Sequence, residues 1–126
     1  MNTVNETSEY MFLMRGAEWG DALPPDVAKV ELDKMMSWAD DLVQSGVMRS
    51  GQPLFPRGRV VSATPSGSVT DGPFTETKEV VGGYLIIRAG RLEEAVSIAG
   101  TCPVLKHGLF IEVRPIALAC PLTDRV

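Results

Sequence analysis

The strongest constraint on the fold is a long amphipathic segment between Asp26 and Ser45. Its apolar residues recur at three- and four-residue spacings, the period of a helix with one buried face. Pro24 and Pro25 favour a helix start because proline fits the first turn, and Gly46 favours a stop. The segment therefore predicts a helix that covers a core with one face. The apolar positions are Ala28, Leu32, Met35, Met36, Ala39, Leu42 and Val43.

The remaining residues of this helix divide into two groups. Its charged residues, Glu31 among them, mostly lie off the apolar stripe. Its methionines and Trp38 are interpreted as core or dimer contacts rather than as a ligand-binding box. A second, shorter helix is predicted over 91–99, where Leu92 and Ala95 begin an apolar face, and Gly100 ends it.

Short apolar and β-branched runs between and around the helices predict strands. They cover 9–15, 59–64, 68–70, 80–88 and 109–114, with loops over 16–25 and 51–59. The order is β-α-β-β-β-α-β, or β-α-β-β-α-β if the hairpin over 59–70 is an insertion. This is the split β-α-β pattern of an α+β protein, an antiparallel sheet with both helices on one face. The other face needs a cover, which in a short chain usually means a second subunit.

Composition and charge exclude several classes of function. A chain of 126 residues is the size of one domain, predicted over 1–126 with its core over 9–116. The net charge of −4 argues against nucleic acid and against anionic membrane surfaces. Residues 1–10 lack the basic and apolar regions of a secretory signal, and no apolar run approaches the ~20 residues of a membrane span.

Cofactor and metal signals are absent from the sequence. It contains no phosphate-binding glycine motif and no nucleophile elbow, so no cofactor is expected. No metal is expected either, because the single His107 has no partners at ligand spacing. Cys102 and Cys120 are interpreted as reduced thiols, with a disulfide or redox pair as the alternative.

One stretch carries a specific resemblance. Its residues run from Val69 to Glu79 (VTDGPFTETKE) and are followed by Gly82, Gly83 and Tyr84. They resemble the hallmark of the D-G-P-F group within the YCII-related family. The opening strand from Tyr10, the start of the second helix at Arg91 and the closing strand to Pro115 agree with it. The resemblance covers nearly the whole predicted domain.

Membership of this family implies a ferredoxin-like fold that dimerises into an α/β barrel. It also implies a cytoplasmic homodimer, and members often accompany extracytoplasmic-function sigma factors. The wider fold includes small lyases and isomerases. Relatives outside the D-G-P-F group often carry a His-Asp pair thought to be catalytic. The first strand and first helix here contain no histidine, so only His107 could supply an imidazole.

The motif itself offers three charged candidates. Asp71 is either a turn residue that accepts backbone hydrogen bonds or a catalytic acid or base beside a cleft between subunits. Glu76 and Lys78 are either a solvated or interfacial segment or a proton-transfer helper and an anion-binding group. Phe74 and Tyr84 are more simply pocket wall or core.

The remaining candidates lie outside the motif. Glu112 and Arg114 alternate on the last predicted strand and so share a face, where they form a salt bridge or where Arg114 clamps a substrate carboxylate. Arg15 ends the first strand and could join them. His107, in a predicted loop, is either a surface residue or a member of the site.

Three functions remain open at this point. The first is a cofactor-free lyase or isomerase-like enzyme that acts on a small anionic molecule in the dimer cleft. Asp71, Glu76 and His107 would be catalytic, and Arg15, Phe74, Lys78, Tyr84 and Arg114 would bind substrate. The second is a non-catalytic ligand-binding or regulatory module, linked to a sigma factor. The third is a purely structural dimer.

Overall fold

The computed structural model describes residues 8–63, 69–72 and 80–118, with only the backbone described for 69–72. Its strands are β1 (Glu9–Arg15), β2 (Met48–Pro53), β3 (Gly58–Val61), β4 (Val69–Gly72), β5 (Val81–Arg88) and β6 (Phe110–Pro115). Its α-helices are α1 (Pro25–Gln44) and α2 (Leu92–Ala99), and 3₁₀ turns lie at Ala17–Gly20 and Leu105–His107.

Four of these strands form one antiparallel sheet in the order β2-β5-β1-β6. β5 lies between β1 and β2 and runs antiparallel to both, so β1 and β2 are parallel to each other. α1 connects these two parallel strands and crosses over β5. In the same way, β1 lies between β5 and β6 and runs antiparallel to both, and α2 connects these two parallel strands. These two interleaved crossovers are the split β-α-β arrangement, and the predicted α+β ferredoxin-like fold is confirmed.

The prediction missed one strand of this sheet. β2 lies where a loop was expected after Gly51, and it pairs with β5 from Met48 to Pro53. Its sequence, MRSGQP, lacks the β-branched and aromatic residues that mark strands. β2 tolerates Pro53 because it is an edge strand.

The predicted hairpin forms apart from the main sheet. β3 and β4 pair only with each other among the described strands, in a register that sets Arg59 opposite Asp71. The hairpin is therefore an insertion between β2 and β5, as the second predicted order assumed, but the strand that follows α1 in the sheet is the unpredicted β2.

The ends of α1 follow from local chemistry. Pro25 occupies its first turn with Asp26, which complements the positive end of the helix. At the other end Gly46 adopts a φ of 80°. Its N–H donates to the carbonyl of Val43, and the N–H of Val47 donates to that of Leu42. This is a Schellman motif, which turns the chain directly into β2.

The core lies between the helices and one face of the sheet. Tyr10, Phe12 and Met14 alternate along β1 and are buried beneath the helices, as is Ile87 on β5. α2 contributes small side chains, such as the fully buried Ala95, and so packs close to the sheet. No helix among the described residues has the length and hydropathy needed to cross a membrane.

The opposite face of the sheet carries no helix of the described chain. Met11 and Leu13 of β1 point to it, and the register sets them beside Ile86 and Tyr84 of β5. All four side chains are half-buried. We call this surface the open face, and its cover by a second subunit stays a prediction.

Two adjacent isoleucines test which face is the core. Ile87→Ala should lower the free energy of unfolding by about 2 to 5 kcal/mol, because it empties a fully buried site. Ile86→Ala on the open face is the matched control and should cost less, because Ile86 is only half-buried. Urea denaturation of both variants measures the difference, and equal losses would contradict this assignment of the core.

Candidate functional site

A cavity of about 350 Å³ lies between α1 and the helix side of the sheet, at the β2–β5 edge. Its walls carry large, soft side chains: two tryptophans, Trp19 and Trp38, and four methionines, Met14, Met35, Met36 and Met48. The interpretation of the methionines and Trp38 of α1 as core or dimer contacts rather than as a ligand-binding box is therefore incomplete, because these side chains also border an open space.

Small residues of the sheet explain why this space is empty. The register sets Gly51 opposite Leu85, and Gly83 opposite Pro53, all on the helix side. A Cβ on Gly51 would lie 2.6 Å from Cδ2 of Leu85, and one on Gly83 would lie 3.1 Å from the carbonyl oxygen of Gln52. The sheet therefore offers little side-chain bulk beneath α1 at this edge.

The cavity is apolar. Among its described lining residues there is no aspartate, glutamate, lysine, arginine or histidine. A charged ligand would lose its hydration there without gaining an ionic partner. The surface suits an uncharged small molecule, whereas the sequence led us to expect an anionic one.

Trp19 connects the cavity to His107. The indole lines the cavity, and it stacks on the imidazole with ring centroids 6.0 Å apart and planes inclined by 21°. Two glycines allow the turns that carry these rings to meet. A Cβ on Gly16, whose φ is 73°, would lie 2.6 Å from the carbonyl oxygen of Gly108, whose φ is 108°.

Beside His107 lies a buried carboxylate, that of Glu31 on α1. Its side chain is 7% exposed, and Oε1 lies 2.7 Å from Nε2 of His107. Nζ of Lys34 lies 2.8 Å from Oε2, and Nζ of Lys106 lies 3.5 Å from Oε1. Hydrogen bonds from Lys34 and His107 outweigh the effect of burial and lower the pKa of Glu31 from 4.5 to about 2.

The ionised carboxylate fixes the role of the imidazole. Glu31 can only accept at neutral pH, so Nε2 of His107 donates the hydrogen bond. A neutral imidazole then has its lone pair on Nδ1, where it can accept a proton. The pair has the chemistry of an acid–base group, but Trp19, not His107, lines the cavity.

Sequence reasoning missed Glu31, which it placed off the apolar stripe. A signal was available: Glu31 lies three residues after Ala28 and four before Met35, so it shares their face of the helix. A charged residue on an apolar stripe indicates a buried carboxylate that needs cationic partners. His107, placed in a loop by the prediction, belongs to a 3₁₀ turn and is 20% exposed.

Three predicted residues meet on the open face, away from the cavity. Nε and Nη2 of Arg15 donate to Oε1 of Glu112 at 3.1 and 2.9 Å. Nε of Arg114 lies 4.0 Å from Oε2 of the same carboxylate. The predicted common face of Glu112 and Arg114 is confirmed, and Glu112 forms the salt bridge of the first interpretation, mainly with Arg15.

The structure describes the remaining predicted site residues only in part. Tyr84 lies in the stretch of β5 that borders the cavity, but the register places its side chain on the open face. Asp71 lies in β4, but its side chain is not among those described. Phe74, Glu76 and Lys78 lie outside the described residues. In the part of the chain that is described, no group of three His, Cys, Asp or Glu side chains could hold a metal ion.

Comparison with known proteins places this geometry in context. The sequence model of the YCII-related domain matches residues 9–118. A similar solved structure is the 5-chloro-2-hydroxyhydroquinone dehydrochlorinase from Burkholderia phenoliruptrix, in complex with 2,5-dihydroxybenzoquinone. It superposes with a TM-score of 0.50 and 17% sequence identity, over 86% of this chain and 92% of that one. This likeness is one of fold. No curated protein matches the chain significantly.

The ion pairs and hydrogen bond of Glu31 with Lys34, Lys106 and His107 predict that the stability of the fold depends on pH. A carboxyl whose folded pKa is about 2, against an ordinary 4.5, stabilises the fold above pH 4.5 and loses that contribution as the pH falls to about 2. Glu31→Gln should therefore lower the melting temperature at neutral pH, and its deficit relative to the unmodified protein should shrink across that window. Melting curves at a series of pH values measure it.

A matched control lies on the same helix. Asp33 is 68% exposed and 3.6 Å from Lys29, so Asp33→Asn should change stability by less than about 1 kcal/mol. If the deficit of Glu31→Gln stayed constant between pH 4.5 and 2, the ion pairs of Glu31 would not be the cause.

Proposed function

The chain belongs to the YCII-related domain family, and from that premise we propose that it binds a small, uncharged molecule in the cavity between α1 and the sheet. The observation that carries this proposal is the cavity itself. Ligand sites commonly occupy about 300 to 1,000 Å³ and are lined mostly by apolar and aromatic side chains. At about 350 Å³, with two tryptophans in its wall, the cavity fits that description.

The structural neighbour supports small-molecule chemistry in this fold. That protein is a dehydrochlorinase and was solved with a dihydroxybenzoquinone, a compact ring compound. Because its likeness to this chain is one of fold, the neighbour supports the size class of the ligand and not a shared reaction.

Acid–base catalysis is the second function that a specific observation favours. The observation is the His107–Glu31 pair, whose hydrogen bond of 2.7 Å holds an imidazole in one orientation. A catalytic base must reach the proton that it removes, and Trp19 lies where His107 would have to meet a ligand in the cavity. The geometry therefore favours binding over a lyase or isomerase-like reaction at this site.

The catalytic roles of Asp71 and Glu76 stay predictions, as does anion binding by Lys78. On the open face, the guanidinium of Arg15 already pairs with Glu112, so an anion there would have to compete with that carboxylate. No feature of the described residues bears on the predicted link to a sigma factor.

We also propose that the protein is a homodimer in which a second copy covers the open face. Half-buried apolar residues in the middle of that face, Leu13, Tyr84 and Ile86 among them, support this arrangement. Paired charges at its margin, such as Arg15 with Glu112, would form a polar rim around an apolar centre.

Filling the cavity tests the binding proposal. Ala39 on α1 lines the cavity, whereas Val43, one turn later, does not line it and is 49% exposed. A panel of uncharged one- and two-ring compounds, both saturated and aromatic, should contain members that raise the melting temperature, because a ligand at 100 times its Kd adds about 2.7 kcal/mol. Ala39→Phe should abolish the shift, and Val43→Phe should retain it.

Circular dichroism of both variants confirms that they fold, since overpacking costs about 1 to 3 kcal/mol. The binding proposal fails if no compound shifts the melting temperature, or if the shift survives in a folded Ala39→Phe variant.

Sedimentation velocity tests the dimer. The unmodified protein should sediment as a dimer and Leu13→Arg as a monomer, because the substitution buries an unpaired charge in the middle of the interface. Val43→Arg, on the helix side, should leave the dimer intact. A monomeric parent protein, or equal behaviour of the two variants, would contradict the assignment.

A further inference from the structure

The composition of the cavity wall narrows the class of ligand. Both tryptophans of the chain and four of its six methionines line this one cavity, whereas no valine or isoleucine of the described residues does. Thioether sulfur and indole rings make favourable contacts with aromatic rings beyond those of area alone. A cavity for an aliphatic molecule needs no such concentration of these residues.

Both indoles are held in place by contacts behind the cavity wall, Trp38 by a hydrogen bond and Trp19 by ring stacking. Nε1 of Trp38 donates to Oγ1 of Thr101 at 2.8 Å, and that hydroxyl donates to the carbonyl of Ile98 at 2.6 Å. Trp19 stacks on His107, whose imidazole is fixed by Glu31. Rings that are oriented in advance lose little freedom when a flat partner enters.

The volume sets an upper limit on the size of that partner. A protein cavity of about 150 Å³ accommodates benzene. The present cavity, at about 350 Å³, is more than twice as large. It has room for two fused rings.

We propose that the natural ligand of this cavity is an uncharged aromatic compound of one or two fused rings, held between the indoles of Trp19 and Trp38 and the surrounding methionines. The inference rests on the proposed function and adds the chemical class of the ligand. The described lining contains no Asp, Glu, Lys, Arg or His side chain, and this favours a neutral ligand.

Three probes built on the same two fused six-membered rings separate aromaticity from charge. Isothermal titration calorimetry on the full chain at neutral pH would use 2-naphthol, its saturated counterpart decahydro-2-naphthol, and the 2-naphthoate anion. We expect 2-naphthol to bind about tenfold more tightly than decahydro-2-naphthol, because ring–ring and sulfur–ring contacts are lost on saturation. The 2-naphthoate anion should bind at least about tenfold more weakly than 2-naphthol, because its charge finds no partner.

A substitution in the cavity wall tests whether the preference for 2-naphthol arises in the cavity. Trp19→Leu keeps an apolar wall but removes one ring, so the preference for 2-naphthol over decahydro-2-naphthol should fall several-fold. Val43→Leu, which leaves the cavity lining unchanged, should preserve the preference. The comparison of probes on the unmodified protein stands even if Trp19→Leu does not fold.

The outcomes separate this inference from the binding proposal. Equal affinities for 2-naphthol and its saturated counterpart would overturn the aromatic class and leave a general apolar site. Tighter binding of 2-naphthoate would overturn neutrality. If 2-naphthol and the other aromatic compounds of the panel fail to bind while its saturated compounds do, the inference is wrong and the proposed function stands. If nothing binds, both fail.

Discussion

The buried carboxylate of Glu31 fixes where the first helix can lie. A carboxylate with 7% of its side chain exposed must be matched by cations or hydrogen-bond donors, and it has the ammonium groups of Lys34 and Lys106 and the Nε2–H of His107 nearby. Lys34 belongs to the same helix, but the other two belong to the turn before β6. The network therefore attaches α1 to the β6 edge of the sheet, opposite the edge formed by β2. Breaking it would leave an uncompensated charge inside, which makes the position of α1 costly to change.

The cavity follows from this attachment. With one end of α1 held above the turn at His107, the middle of the helix spans the β2–β5 edge, where Gly51 and Gly83 offer no side chains to fill the gap. A bulky residue at either glycine would meet neighbouring strand atoms at short distance, so the sheet cannot easily close the space itself. The aromatic and methionine side chains that remain are large enough to line the gap but not to fill it.

The sequence predicted the elements whose periodicity is strong and missed those defined by tertiary contacts. The aliphatic run of β5 predicted a central strand, and the structure has it between β2 and β1. Of the predicted apolar stripe of α1, Met35, Ala39 and Leu42 pack half-buried against the core, whereas Leu32, Met36 and Val43 are exposed. The order of elements predicted the fold but not the strand β2. β2 could not be predicted, because an edge strand with Gly51 and Pro53 carries no β-forming pattern and is stabilised by pairing with β5. The site was harder. The pairing of Glu31 with His107 joins residues 76 positions apart, so only the fold brings them together. The motif around Asp71, by contrast, drew attention to side chains that the described part of the structure does not include.

The balance between binding and catalysis depends on Trp19. An imidazole oriented by a carboxylate is an arrangement that proteins use for proton transfer, but orientation has value in catalysis only where the base meets its substrate. Here the indole takes the position beside the cavity, and the imidazole supports the indole from behind. The hydrogen bond of 2.7 Å between His107 and Glu31 therefore acts on the cavity indirectly, because the fixed imidazole holds the indole of Trp19 in place. That indole cannot transfer protons. A rigid aromatic wall raises affinity for a flat molecule by lowering the entropy lost on binding. On this geometry the His107–Glu31 pair is a positioning device for a ligand site, and catalysis would require Trp19 to move aside.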